Sequence, residues 1–226
     1  MSAYHLPGKP PVPLMLRRSK RARRMSLRIS ALDGRVTLTL PPRVPEDEAL
    51  EFAAEKEDWI RAHLERHPAP VEAEFGNELP VEGAARRISS EKRRGVKLTP
   101  DELLVGGSNP KRSLERFLKE LARDRLVAAS DHYAQDLGRG YSRITLRDTR
   151  SRWGSCSSDG GLMYSWRLIM APPKVLNYVA AHEVAHLQEM NHSADFWSLV
   201  QKLFGDSSAE RRWLKEEGSS LHRYRF

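Results

Sequence analysis

The chain has 226 residues, 39% of them hydrophobic and 30% charged, which suits one large domain or two small ones around a real core. No apolar run approaches the roughly 20 residues of a membrane span, no apolar leader precedes a small-residue cleavage site, and the single cysteine, Cys156, excludes an internal disulfide. The lone cysteine suits a reducing cytoplasm, and the expectation is a cytoplasmic protein with no membrane attachment, taken to be a monomer.

The net charge of +8 is unevenly spread: Lys9, Arg17, Arg18, Lys20, Arg21, Arg23, Arg24 and Arg28 all precede the first acid, Asp33, and the remainder is balanced. Such a block reads as a solvated tail or as a footprint for phosphates, so nucleic acid is a candidate partner of this arginine-rich arm.

Residues Met1 to Leu14 hold four prolines and no periodicity, and read as a flexible lead-in. In Arg17 to Ser30, Met25, Leu27 and Ile29 alternate with polar neighbours, as in a strand with one buried side. Asp33-Gly34 is a hairpin turn signal, and Val36, Leu38 and Leu40 continue the alternation on the return. Pro45 to His67 predicts a helix that opens on Glu46, Asp47 and Glu48 and stops at Pro68, with Trp59 as a core anchor. Glu74 to Gly107 is short-strand material punctuated by glycines, able to join the first hairpin in a small antiparallel sheet.

Pro110 to Leu137 predicts a long helix closed by Gly138. Ser142 to Asp148 and Leu162 to Ile169 read as strands around the segment Ser151 to Ser158. The second of these strands precedes the chemistry-bearing helix, and an exposed strand edge there can pair with an extended peptide. Cys156 reads as a small buried thiol rather than a nucleophile or a ligand.

The chemistry concentrates in Pro173 to Phe196, whose centre is His182-Glu183-Val184-Ala185-His186. Residues four apart lie about 40° apart around a helix, so the two imidazoles project from one side and can hold one zinc ion at roughly 2.0–2.1 Å each. Glu183 stands about 100° round from His182, where a general base for a water belongs. His192 is the candidate third ligand, which leaves a fourth position open to water. It lies six residues beyond His186, so the helix must stop first. Asn191 is suited to the left-handed conformation that ends helices, and Ser193 to capping the next one. The three histidines have metzincin spacing, with Glu189 where that pattern has glycine. The opposite side of the helix, Leu176, Ala180, Val184 and Leu187, is apolar and small.

The segments Arg152 to Ser158, Trp166 to Pro172, His182 to Leu187 and Asn191 to Trp197 together resemble the YgjP-like family of zinc metallopeptidases, most strongly over Gly140 to Leu214. The family is similar to the SprT-like and WLM-type proteases, which act on proteins near or crosslinked to DNA. The resemblance implies a zincin-type catalytic domain, one zinc ion on His182, His186 and His192, and Glu183 as base. Two positions depart from the family's habit: Ser165 stands where it commonly has Asn, and Asn177 where it commonly has Asp.

The expected fold class is α+β, an active-site helix packed on a small antiparallel sheet, with an N-terminal β-rich subdomain. The expected division is a lead-in at 1–14, the β-rich subdomain with one helix at 15–108, and the catalytic domain at 109–226. The expected function is zinc-dependent hydrolysis of a polypeptide substrate. Arg152, Tyr164 and Arg167 are candidates for binding substrate and stabilising the oxyanion. Two further readings keep the metal: a nucleotide phosphohydrolase, and a nucleic-acid-binding module, or DNA-associated protease, that uses the arginine arm.

Overall fold

A computed structural model of the chain describes residues 2–8, 10–30, 34–65 and 69–226. It is α+β throughout and divides into two compact units, Met1–Ala69 and Pro70–Phe226.

The first unit is a four-stranded sheet with two helices. Its strands are β1 (Ser2–Leu6), β2 (Val12–Arg18), β3 (Ser26–Ile29) and β4 (Val36–Leu40), in the order β1-β2-β4-β3. β2 and β4 run parallel, and the other pairs antiparallel. The expected lead-in is therefore ordered strand: Leu6, Val12, Leu14 and Leu16 are buried, and Pro13 precedes the point where β2 first meets β4. The alternation at Arg17 to Ser30 belongs to two strands with a turn between them, closed by Ala22 N–H donating to the Ser19 carbonyl. Asp33 of the expected turn lies outside the described residues.

The predicted helix from Pro45 is two helices, α1 (Glu46–Glu55) and α2 (Glu57–Glu65), which break at Lys56 where a fresh acidic turn begins. Its expected end at His67 and Pro68 lies outside the described residues. Ala49, Ala53 and Ile60 face the sheet core. Trp59 does not: it is 43% exposed and stacks on His63, one helical turn away.

The second unit holds β5 (Val71–Glu72), β6 (Glu78–Val81), β7 (Ala84–Glu91), β8 (Val96–Leu98) and β9 (Glu102–Gly106). β6 to β9 form their own sheet, ordered β6-β7-β9-β8 with a parallel β7–β9 pair, and do not join the first hairpin. Their buried residues Leu79, Val81, Ile88, Leu103 and Val105 share one core with the long helix α3 (Pro110–Leu137). That shared burial moves the boundary from the expected 108/109 to between Ala69 and Pro70. α3 threads this core with Leu114, Leu118, Ala122, Leu126, Ala129 and Tyr133. Asn109 caps its start and Gly138, at φ 71°, ends it.

Next come β10 (Arg143–Arg147), β11 (Gly154–Cys156) and β12 (Gly161–Ser165), ordered β10-β12-β11. β10 is parallel to β12, so the sheet is mixed rather than antiparallel. β12 ends at Ser165 and runs into a 3-10 turn, Trp166–Met170, shorter than the strand expected to Ile169. It is the central strand, so the edges of this sheet are β10 and β11. Helix α4 (Pro173–Ala185) follows, then α5 (Ala194–Phe204), α6 (Ser208–Glu216), a second 3-10 turn (Gly218–Arg223) and β13 (Tyr224–Arg225), which pairs with β5.

α4 is the buried centre of this unit. Val175, Leu176, Tyr178, Val179, Ala180, Ala181, Val184 and Ala185 are all buried, so it is apolar nearly all round. Its entrance is fixed by the β6–β7 turn, where Glu82 N–H donates to Ile169 O at 2.7 Å and Gly83 N–H to Met170 O at 3.3 Å. Gly83 has φ +79°, and a Cβ there would lie 2.9 Å from Pro172 Cα, so both conformation and space require glycine. No helix among the described residues is long and apolar enough to cross a membrane.

Candidate metal centre

α4 delivers His182 and His186 one turn apart, and then stops. His186 occupies the C-cap; Leu187 N–H bonds Val184 O at 2.9 Å, and Glu189 N–H bonds Ala185 O at 3.0 Å. The helix thus ends by tightening its last turn. Asn191 takes no left-handed conformation, contrary to expectation, because the stop has already been made several residues earlier. The chain turns through 187–191, and Ser193 Oγ caps α5 by accepting from Phe196 N–H at 3.3 Å, as the sequence predicted. His192, immediately before that cap, swings back over α4.

The imidazoles of His182, His186 and His192 converge, with one ring nitrogen of each within 4.8 Å of the others. His192 Nε2 lies 3.0 Å from His182 Nε2. Two nitrogens at roughly 2.0–2.1 Å from one tetrahedral ion sit about 3.3 Å apart, so the spacing fits a shared cation. His186 Nδ1 is 2.8 Å from Glu189 O. A carbonyl only accepts, so Nδ1 carries the proton and Nε2 keeps a lone pair for a metal. Burial drives the pKa of His182 down to about 4, with the neighbouring His186 and His192 adding to the shift. Burial lowers His186 too. Both rings are neutral near pH 7, the form that binds metal. The donor set therefore fits one divalent ion such as zinc.

The floor of the site is Phe196. Its ring centroid lies 4.9 Å from that of His182, 4.4 Å from His186 and 4.8 Å from His192. Trp197 closes one flank, 5.8 Å from His182 and 5.7 Å from His192, with the Arg211 guanidinium over its far face at 4.5 Å. The contact of Phe196 with all three rings was not foreseen from the sequence. The offset of four residues from His192, across a cap, was the available signal.

Glu183 points from α4 to the sheet. It is 6% exposed, and burial pushes its pKa up to about 8, against the opposing pull of the Arg152 charge. Its carboxylate lies against Gly154 of β11: a Cβ there would come 2.5 Å from Oε1, 2.6 Å from Cγ and 2.8 Å from Cδ. Gly154 is thus the residue that leaves room for the acid. Nothing local in Arg152 to Ser158 announces this part, because the contact is tertiary.

The remaining candidates separate. Arg152 is exposed and close enough to act on Glu183. Tyr164 is fully buried, its hydroxyl 3.0 Å from Ser130 Oγ, and burial drives its pKa up. Arg167 is committed elsewhere: it grips both oxygens of Asp148 at 2.6 and 3.0 Å, donates to Leu221 O and Tyr224 O, and stacks on Trp166. Among the described residues neither Tyr164 nor Arg167 has a donor placed against the three histidines. Cys156 is a half-buried thiol pushed up to about 11 by burial and by Glu183, hence protonated and a poor nucleophile. Ser165 is fully buried, and its hydroxyl has no hydrogen-bond partner among the described residues.

A family model described as YgjP-like, metallopeptidase domain, matches residues 23–217. No curated protein matches the chain. Among solved structures, the crystal structure of the metallopeptidase zymogen of Pyrococcus abyssi abylysin is similar at 21% identity, covering 41% of this chain and 95% of that one, with a TM-score of 0.37. That likeness is too slight to bear on mechanism.

Proposed function

The chain belongs to the YgjP-like metallopeptidase family, and from that premise we propose that it is a zinc-dependent peptidase in which His182, His186 and His192 hold one ion and Glu183 is the general base. The observation that carries this reading is the convergence of three imidazole nitrogens within 4.8 Å, with a buried carboxylate on the adjoining residue of the same helix. Zinc held there would supply a water acidified toward a pKa of about 7 and would polarise a carbonyl.

The chain's own residues do the rest. Glu183 accepts a proton from the attacking water and returns it to the leaving amine. Contact with Gly154 holds its carboxylate beside the helix. A cation held by His182, His186 and His192 would oppose the upward shift that burial imposes on Glu183 and so favour its ionised form. The free edge of β11 offers backbone groups to an extended polypeptide and would lay it across Glu183. Arg152, exposed and near Glu183, is the remaining candidate for steadying the developing oxyanion.

The test is Glu183→Gln. The variant retains zinc by elemental analysis and loses about 10²–10⁴-fold in peptide cleavage; cleavage at the wild-type rate would remove Glu183 from its role.

A second activity of the same chain is supported by its charge. Arg17, Lys20, Arg21, Arg23 and Arg24 are exposed around the β2–β3 connection, an ordered part of the first unit and a suitable electrostatic contact for nucleic acid. Replacing Lys20, Arg21, Arg23 and Arg24 by Gln should weaken DNA binding and flatten its salt dependence; unchanged binding would reject the contact.

A further inference from the structure

The β10-β12-β11 sheet has two unlike faces. Leu162 and Tyr164 are buried in the core on the side of α4, and Gly154 meets Glu183 there. The opposite face carries Arg143, Thr145 and Arg147 from β10, Met163 from β12 and Ser155 from β11. Together with Arg152, from the approach to β11, they line an open cleft of about 370 Å³. Among the described residues no carboxylate lines it. Arg143 is matched by Asp159 at 2.8 Å. Arg147 has no hydrogen-bond or ion-pair partner among the described residues, and the Arg152 guanidinium makes no hydrogen bond among them. Arg147 thus faces a groove whose lining offers it no counter-charge, and Arg152, whose charge also acts on Glu183, adds to the positive character of that groove.

The groove adjoins β11, the edge strand that packs against the catalytic helix. A chain added along the outer edge of β11 continues the rows of the sheet, and cross-strand neighbours share a face. Ser155 pairs with Met163, which pairs with Thr145, so this row lies on the arginine face. The substrate residue opposite Ser155 presents its side chain to the cleft. Its two neighbours in sequence turn toward Glu183.

We propose that this cleft is a subsite for an acidic side chain, an Asp or Glu near the scissile bond, at the alternate positions that share the face of Ser155. The inference rests on the peptidase reading and names its substrate class. Carboxylate and guanidinium form charge-assisted, bidentate pairs, and Thr145 and Ser155 add hydroxyl donors. The alternation of side chains makes the preference depend on position and not on net charge alone.

The experiment uses the zinc-loaded full chain and three labelled peptides of Ala, Leu and Thr: one neutral, one with Glu at alternate positions, and one with the same glutamates moved by one residue. One acidic register should be cleaved about tenfold better than the neutral peptide in kcat/KM, chiefly through KM, with the shifted register near the neutral value. Arg147→Gln should bring the ratio close to one, and added salt should reduce it. Equal cleavage of all three peptides, or equal preference for both acidic registers, overturns the subsite and leaves the peptidase intact. Anisotropy with the zinc-loaded Glu183→Gln variant reads binding without turnover. Register-selective binding in a protein that cleaves nothing keeps the subsite and sinks the peptidase; no selective binding sinks the subsite. If Arg147→Gln loses affinity for a labelled single-stranded oligonucleotide while peptide selectivity is unchanged, the groove belongs to nucleic acid and the proposal fails.

Discussion

The two halves of the histidine cluster are held by opposite means. His182 and His186 ride on α4, a helix so enclosed by apolar neighbours that its side chains have nowhere else to go. His192 sits in an exposed turn and is stationed by a helix stop on one side and the Ser193 cap on the other. Phe196 is where the two halves meet, since its ring touches all three imidazoles. The difference teaches that burial fixes the first two groups with or without an ion, while the third depends on local turn geometry and on what it closes over.

The sharpest way to break the comparison is to remove the shared floor. Phe196→Ala should cost about 3–5 kcal/mol in denaturant unfolding of the metal-free protein, because a fully buried ring leaves a cavity. It should also loosen all three rings and lower zinc affinity; a stable variant with unaltered zinc binding would show the floor to be incidental.

A smaller effect tests the buried half alone. Gly154→Ala forces a methyl to within 2.5–2.8 Å of the Glu183 side chain. The expected outcome is about 1–3 kcal/mol of overpacking and at least about a tenfold loss in kcat, with zinc content unchanged. Equal losses of zinc and of activity would mean that the methyl disturbs the ligands rather than the base.

The smallest expected effect comes from a control away from the cluster. His222 is partly buried against Trp153, and its pKa falls from 6.5 to about 4 through burial and the nearby Arg167 charge. The unfolded chain takes up this proton near pH 6.5 and the folded chain only near 4. Its contribution to stability is therefore complete above about 6.5 and is lost as pH falls toward 4. His222→Phe should flatten the pH dependence of the melting temperature in that window and leave zinc binding untouched. An unchanged pH profile would contradict the assignment.

Much of the candidate site was legible from spacing. Residues four apart on a helix share a side, and Ser193 before Ala194 announced a cap, so the convergence of His182, His186 and His192 followed from local rules. Properties set by tertiary packing were not legible. Trp59 reads as a core residue by size but lies on the surface, because Ala49, Ala53 and Ile60 already fill the face against the sheet. Tyr164 and Arg167 looked available to substrate, but Ser130 and Asp148, distant in sequence, engage them. The lead-in turned out to be β1 and part of β2 because its prolines mask a period of two at Val12, Leu14 and Leu16. The use of Gly154 depends on a helix that follows one strand and a 3-10 turn later.

The most direct measurement of the central claim is zinc stoichiometry by elemental analysis of the purified protein beside its His186→Ala and His192→Ala variants, with unfolding of each metal-free form as a control. The account predicts one zinc per chain in the wild type and its loss from both variants, with the metal-free stability of His192→Ala within about 0.5 kcal/mol of wild type, as for an exposed residue. A wild-type protein that takes up no divalent ion, or a His192→Ala variant that keeps wild-type zinc affinity, would contradict it.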